Sequence, residues 1–307
     1  MSLELYYLLA SILIFFAIFI VVYFFLPSES EVEEFRKSLP AGHLENKKMK
    51  TFEESPFLKS IYPFVLAVAA RANRMGIPEK HIKRLSKRIA AAGYPYGFTP
   101  YEYIGYAFTI GLIVTLLAAF FNYSMFGSIN VVFLLIAFVF GNVFPYFFLA
   151  NQADERKIKI YKDLPYKLDL LSMAVEAGLD FLSAVKRMVE KDTTKSPLIE
   201  EFFQFLQEVR MGKTKQEALL DLADRADVEA LNSIVTAIIQ AEKMGTPVAQ
   251  VLKIQAESLR ITRTQRAEKA AGEASVKIMF PLVFILMSTV LILFGGIIVR
   301  WMRGELF

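Results

Sequence analysis

Cysteine is absent from all 307 residues, which excludes disulfides and thiolate metal sites. Histidine occurs only at positions 43 and 81. His43 lies in a charged, poorly patterned stretch and His81 among lysines, and neither has the spacing of a zinc pair or of a nucleophile and its base. Three long stretches lack charge altogether. Leu5 to Leu26 and Ile278 to Val299 are 22 residues each without Asp, Glu, Lys, Arg or His, and 51 such residues separate Glu102 from Asp154. Proton relays, ion-coupled transport and intramembrane aspartyl chemistry need ionisable groups within the spans despite their cost, so these absences argue against all three. No catalytic residue, metal ligand or cofactor site follows from the pattern, and the expectation is a protein that is not an enzyme.

What remains is mostly apolar: 55% of the chain is hydrophobic and 21% charged. A run of 22 residues is enough to cross a hydrocarbon core of roughly 30 Å at about 1.5 Å per helical residue. The 51-residue run would be about 77 Å of helix, enough for two crossings with a turn at Asn122-Tyr123-Ser124 through Gly127-Ser128. The sequence therefore predicts four transmembrane helices: the first within residues 1–26, then 103–121, 129–150 and 278–299. The first reads as an anchor, because no Lys or Arg precedes it and no A-x-A site follows.

Basic residues sort by side. Of 35 Lys and Arg, 13 lie between the first and second spans and 20 between the third and fourth, while Arg300 and Arg303 follow the fourth. The rule that basic residues stay cytoplasmic then predicts an N-terminus outside, both large segments (27–102 and 153–277) inside, and an extracytoplasmic tail at 300–307. The formal charge of +4 is explained by anionic lipid headgroups as membrane partner, and no nucleic acid is needed.

Residues 27–102 read as a linker followed by one helical hairpin, stopped at Gly76 and restarted near Pro78. In the second helix Ile82, Leu85 and Ile89 share a face while Lys80, Lys83, Arg84, Lys87 and Arg88 occupy others. This amphipathic pattern suits a solvated face packed on a neighbour, or contact with a membrane surface or partner. Thr99-Pro100-Tyr101-Glu102 has capping-box spacing and should start the second span. Ala107 with Gly111 and Ala137 with Gly141 are small pairs that let the second and third spans approach closely.

Residues 153–277 contain a repeat in which Gly178, Gly212 and Gly245 each separate two apolar-periodic segments. Asp180, Thr214 and Thr246 follow as candidate caps, and Thr214 with Glu217 has capping-box spacing. Helix starts near Asp163, Asp180, Ser196, Thr214, Asp227 and Thr246 predict three hairpins, a cytoplasmic six-helix bundle. The predicted fold class is an all-α polytopic membrane protein. From Val248 to Lys277 no clear stop signal occurs, so the sixth helix should run unbroken into the fourth span. Gly212-Lys213-Thr214 imitates the end of a phosphate-binding loop, but Gln207 stands where the earlier glycine is required and the preceding segment is helical rather than a strand.

Several local motifs resemble a known family: Leu164-Pro165, Leu168-Asp169-Leu170-Leu171, Val175-Glu176-Ala177-Gly178-Leu179, Glu217-Ala218-Leu219, Gln240-Ala241-Glu242 with Gly245-Thr246, Gln255-Ala256-Glu257, Gln265-Arg266-Ala267-Glu268, and Val276-Lys277 before Phe280-Pro281-Leu282-Val283. From about residue 94 to 300 the chain resembles type II secretion F-domain proteins, and among them the TadC-type platforms of tight-adherence (Flp) type IV pilus machines. The resemblance implies an inner-membrane platform that couples a cytoplasmic secretion ATPase to pilin extraction and assembly. Its implied partners are a TadB-type platform protein, the ATPase and pilin subunits, with assembly into homo- or hetero-oligomers open. Glu176, Arg210 and Glu242 are candidate partner contacts, and Gly178, Gly212 and Gly245 candidate helix-ending residues. The competing readings are a transporter or channel with a regulatory cytoplasmic domain and a membrane-embedded enzyme; charge-free spans count against both.

Overall fold

The computed structural model describes residues 48–302 apart from 50, 54, 128, 129 and 195, so the predicted first span, the linker after it up to residue 47 and the tail from 303 lie outside the described residues. Every regular element within them is helical. An N-terminal hairpin consists of α1 (Pro56–Arg74) and α2 (Glu79–Ala91). A short loop containing the 3-10 turn Pro95–Gly97 leads to α3 (Pro100–Phe126) and α4 (Val131–Glu176). The remainder is α5 (Phe181–Lys191), α6 (Pro197–Arg210), α7 (Lys215–Ala226), α8 (Glu229–Met244) and α9 (Val248–Met302).

The start of α3 is fixed by the capping box that the sequence predicts. The Glu102 amide donates to Thr99 Oγ1 at 3.4 Å and the Thr99 amide donates to Glu102 Oε2 at 2.8 Å. Glu102 is fully buried. Its other carboxylate oxygen accepts from Lys48 Nζ at 2.6 Å and from the Tyr62 hydroxyl at 2.7 Å, so the buried charge is both paired and hydrogen-bonded, as burial requires. α1 crosses α3 closely: a Cβ on Gly105 would lie 2.4 Å from the Val65 carbonyl oxygen.

α3 and α4 form an antiparallel pair. The Tyr103 hydroxyl donates to the Pro145 carbonyl at 2.6 Å, which ties the two helices together. A Cβ on Gly141 would come within 2.9 Å of the Gly111 Cα, so these small residues set the interaxial approach. α3, α4 and α9 are each long and apolar enough to cross a membrane. Their apolar side chains point outward: Phe120, Phe140, Phe280 and Ile292 are exposed, an arrangement that a hydrocarbon solvent tolerates and water does not.

Beyond the spans a single hydrophobic core gathers Leu164, Leu168 and Leu171 from α4, Phe181 and Val185 from α5, Phe202 and Phe205 from α6, Leu219 and Leu222 from α7, Ile234 and Ile238 from α8, and Leu252 and Ala256 from α9. One joint differs from the sequence expectation. No helix starts at Asp163: α4 is continuous over 46 residues, with Pro145 and Pro165 inside it. The start expected near Asp227 is met two residues on, at Glu229: Asp227 itself closes α7 in the left-handed conformation, with φ 51°, and Val228 takes the cap position of α8. The expected starts at Asp180, Ser196 and Thr214 are N-cap positions. α9 begins two residues after Thr246 and continues for 55 residues through the apolar segment, as the missing stop signal predicts.

Candidate functional site

Chain direction decides where the three glycine turns meet. α4 comes from one apolar segment and α9 leaves into another, and the bundle helices between them alternate in direction. The ends of α4, α6 and α8 therefore share one side, together with the starts of α5, α7 and α9. From Asn151 to Glu176 α4 extends about 39 Å at the usual rise, which puts this side far from the apolar segments. Lys215 joins the turns, forming an ion pair with Glu242 and standing 4.5 Å from the ring centre of Phe181.

Each turn closes its helix with the same two backbone bonds. At Gly212, where φ is 98°, the Lys213 amide donates to the Glu208 carbonyl at 3.1 Å and the Gly212 amide to Val209 at 3.0 Å. The left-handed backbone there is the reason for glycine, since a Cβ would meet no neighbour. Gly178 and Gly245 repeat the pattern, through Leu179 to Ala174 at 3.2 Å and Thr246 to Ala241 at 2.9 Å. The returning helices are capped by Asp180, which accepts from the Ser183 amide at 3.1 Å, and by the Thr214–Glu217 box. The hydrogen bonds from Ser183 hold the Asp180 carboxyl below the usual range, and those from Thr214 do the same for Glu217.

The predicted contact residues divide into two kinds. Glu176 ends α4 and Arg210 ends α6; both are exposed, and neither forms an ion pair among the described residues. Glu242 is half-buried and engaged by Lys215, so it braces two turns together. Sequence reasoning missed the apolar part of this surface. Met211 is 76% exposed and Met244 79% exposed, and each directly precedes a turn glycine. The repeated Met-Gly pair was the available signal, because the last helical position before a glycine stop projects away from the core. Flexible thioether side chains on a protruding end suit adaptable protein contact.

The opposite end of the bundle is held by charge. Arg156 Nη2 lies 2.8 Å from Glu200 and 3.2 Å from Glu201, and Arg225 lies 3.2 Å from Glu201 and 2.5 Å from Glu208. Arg156, Glu201 and Glu208 are buried, and Arg156 lies so close to Gly93 that a Cβ there would reach 2.4 Å from its Nε. Tyr94, next to this network, has its hydroxyl pushed up by burial. Lys87 of α2 pairs with Asp224 at 2.7 Å and Asp227 at 3.5 Å, and Lys157 reaches Asp227 at 2.5 Å. Burial pushes Asp227 up, but the hydrogen bond from Lys157 and the charges of Lys157 and Lys87 outweigh it, so the carboxyl titrates below its usual range. The hydrogen bond to Asp224 raises Lys87. Lys167 and Asp192, both nearly inaccessible, form a further pair between α4 and the end of α5.

These two ends provide an exposed mixed polar and methionine surface at one pole and a rigid electrostatic clamp at the other. Residues 168–295 match the family model of type II secretion system (T2SS) protein F. No curated protein and no solved structure matches the chain.

Proposed function

We propose that this chain is an inner-membrane platform of a Tad/Flp-type pilus or type II secretion machine, and that it couples a cytoplasmic ATPase to the extraction of pilin subunits. The protein F match over residues 168–295 carries this reading, because it falls on the segment whose three glycine turns form one exposed pole. In the proposed topology the N-terminus is outside and the basic segments 27–102 and 153–277 face the cytoplasm, in accord with 33 of 35 Lys and Arg residues. The TadC-type assignment adds a TadB-type platform protein as membrane partner.

The chain itself catalyses nothing in this account. Motion of the ATPase reaches the turn end of the bundle, and α4 and α9 conduct it, since each leaves the bundle for an apolar segment without a break in the helix. Copurification with a secretion ATPase and loss of surface pili on deletion are the expected results. Substrate flux through liposomes containing this protein alone would overturn the reading. Breaking α9 with a four-glycine insertion after Lys277 should abolish pilus assembly, and unchanged assembly would contradict the mechanical coupling.

A further inference from the structure

The basic helix α2 carries more positive charge than its contacts with the bundle use. Lys87 is taken by Asp224 and Asp227, and Lys83 lies 3.9 Å from Glu79. His81, Arg84 and Arg88, spaced i, i+3 and i+7 along one face, pair with no carboxylate among the described residues. They line a cleft of about 300 Å³ whose other walls are Ile82 and Leu85 of the same helix, Ile77 just before it, Ile104 of α3 and Tyr146 of α4. No acidic residue lines it.

The depth of this cleft identifies its occupant. Ile104 is four residues into α3, about 6 Å beyond its first residue, and Tyr146 precedes the first charged residue of α4, Asp154, by eight positions. Both therefore stand where an apolar crossing meets the headgroup layer, the level at which tyrosine is enriched. A ligand in the cleft touches guanidinium groups on one side and the ends of two spans on the other. We infer that the cleft between α2 and the α3–α4 pair binds an anionic phospholipid, its phosphate held by Arg84 and Arg88 and its acyl chains lying along the exposed apolar faces of α3 and α4. Arginine suits the task because its planar fork donates two parallel hydrogen bonds to a phosphate. The inference rests on the bilayer placement of α3 and α4, not on the platform role.

The test compares the full chain reconstituted in nanodiscs of phosphatidylcholine with and without phosphatidylglycerol, after confirming equal incorporation. Thiol labelling of Ser124→Cys and of Lys80→Cys from opposite sides of sealed vesicles checks that α3 and α4 cross the bilayer, and labelling of both from one side separates failure of that placement from loss of the site. Native mass spectrometry should find phosphatidylglycerol retained on the wild type. The R84Q/R88Q variant should bind it roughly tenfold more weakly, and K80Q/K83Q, which removes the same charge away from the cleft, should bind like the wild type. R84K/R88K should recover part of the binding, which distinguishes loss of the site from misfolding. Equal loss in both glutamine variants would mean diffuse attraction and overturn the site. Competition by glycerol phosphate as effective as that by the lipid would assign the cleft to a soluble phosphate, and retention of an acidic peptide instead would assign it to a protein partner; either result contradicts the inference.

Discussion

The two ends of the bundle bury charge in opposite ways. Near the apolar segments, Arg156, Glu200, Glu201 and Arg225 form one connected network, from which Arg225 also reaches along α6 to Glu208, and Lys87 and Lys157 close on Asp227. At the glycine-turn end, Glu176 and Arg210 are exposed and unpaired among the described residues, beside Met211 and Met244. A buried charge left without a partner costs several kcal/mol, whereas an exposed one costs almost nothing. Substitutions at the first end should therefore register as stability, and substitutions at the second as binding.

The largest effect should come from Glu201→Ala, which removes one carboxylate from each of two arginines while leaving Arg156 its Glu200 and Arg225 its Glu208: about 2–3 kcal/mol of destabilisation by denaturant titration of the detergent-solubilised protein. A loss below about 1 kcal/mol would show that the network is solvated and would weaken the contrast between the ends. Next, Gly212→Val should cost about 1–3 kcal/mol by forcing a β-branched residue into φ 98°, and Gly212→Asn distinctly less. At the membrane pair, Gly141→Leu must push α4 off Gly111 and Val114, with a loss of about 1–3 kcal/mol.

Acid should weaken the clamped end. The folded-state values of Asp227 and Asp192 are depressed, so the stability they contribute is complete above the unfolded carboxylate range and is lost as pH falls through the lower folded value. Lys87 is raised, so its contribution is complete below about pH 10.4 and is lost only above that. Protection factors of the α2 and α7 amides, referred to the intrinsic exchange rate at each pH, should fall below about pH 4 and stay constant from there through neutrality. Asp227→Asn should flatten the acid limb.

How much of this was legible in the sequence follows from the range of each interaction. Turns and caps are local: Thr99–Glu102, Thr214–Glu217 and the three glycine stops need only neighbours within six residues, and their signatures read directly. The α4 joint misled because Asp163 and Pro165 resemble a helix start, yet a helix already running can carry an interior proline at the cost of a bond. The helix start near Asp227 was legible, but the part Asp227 itself plays was not. Its left-handed conformation closes α7, while its charge faces Lys157 and Lys87, 70 and 140 positions away along the chain. The clamp around Arg156 was invisible for the same reason, since Glu200 and Glu201 reach it only through the tertiary fold. At the turn end, Glu176, Arg210 and Glu242 were found by family-like motifs, but only the structure separates the braced Glu242 from the two free charges.

The smallest expected stability effect is the most informative for function. Glu176→Lys and Arg210→Glu, alone or with Met211→Ser, should change stability by less than about 0.5 kcal/mol, because the side chains are exposed. The direct measurement is the affinity of the cognate secretion ATPase for this triple variant in nanodiscs, set against the wild type and a charge-matched variant at exposed positions of α5. The account predicts a loss of roughly tenfold or more for the triple variant with the α5 control unchanged. Equal affinity for all three proteins, with the triple variant folded, would contradict the claim that the glycine-turn pole receives the motor.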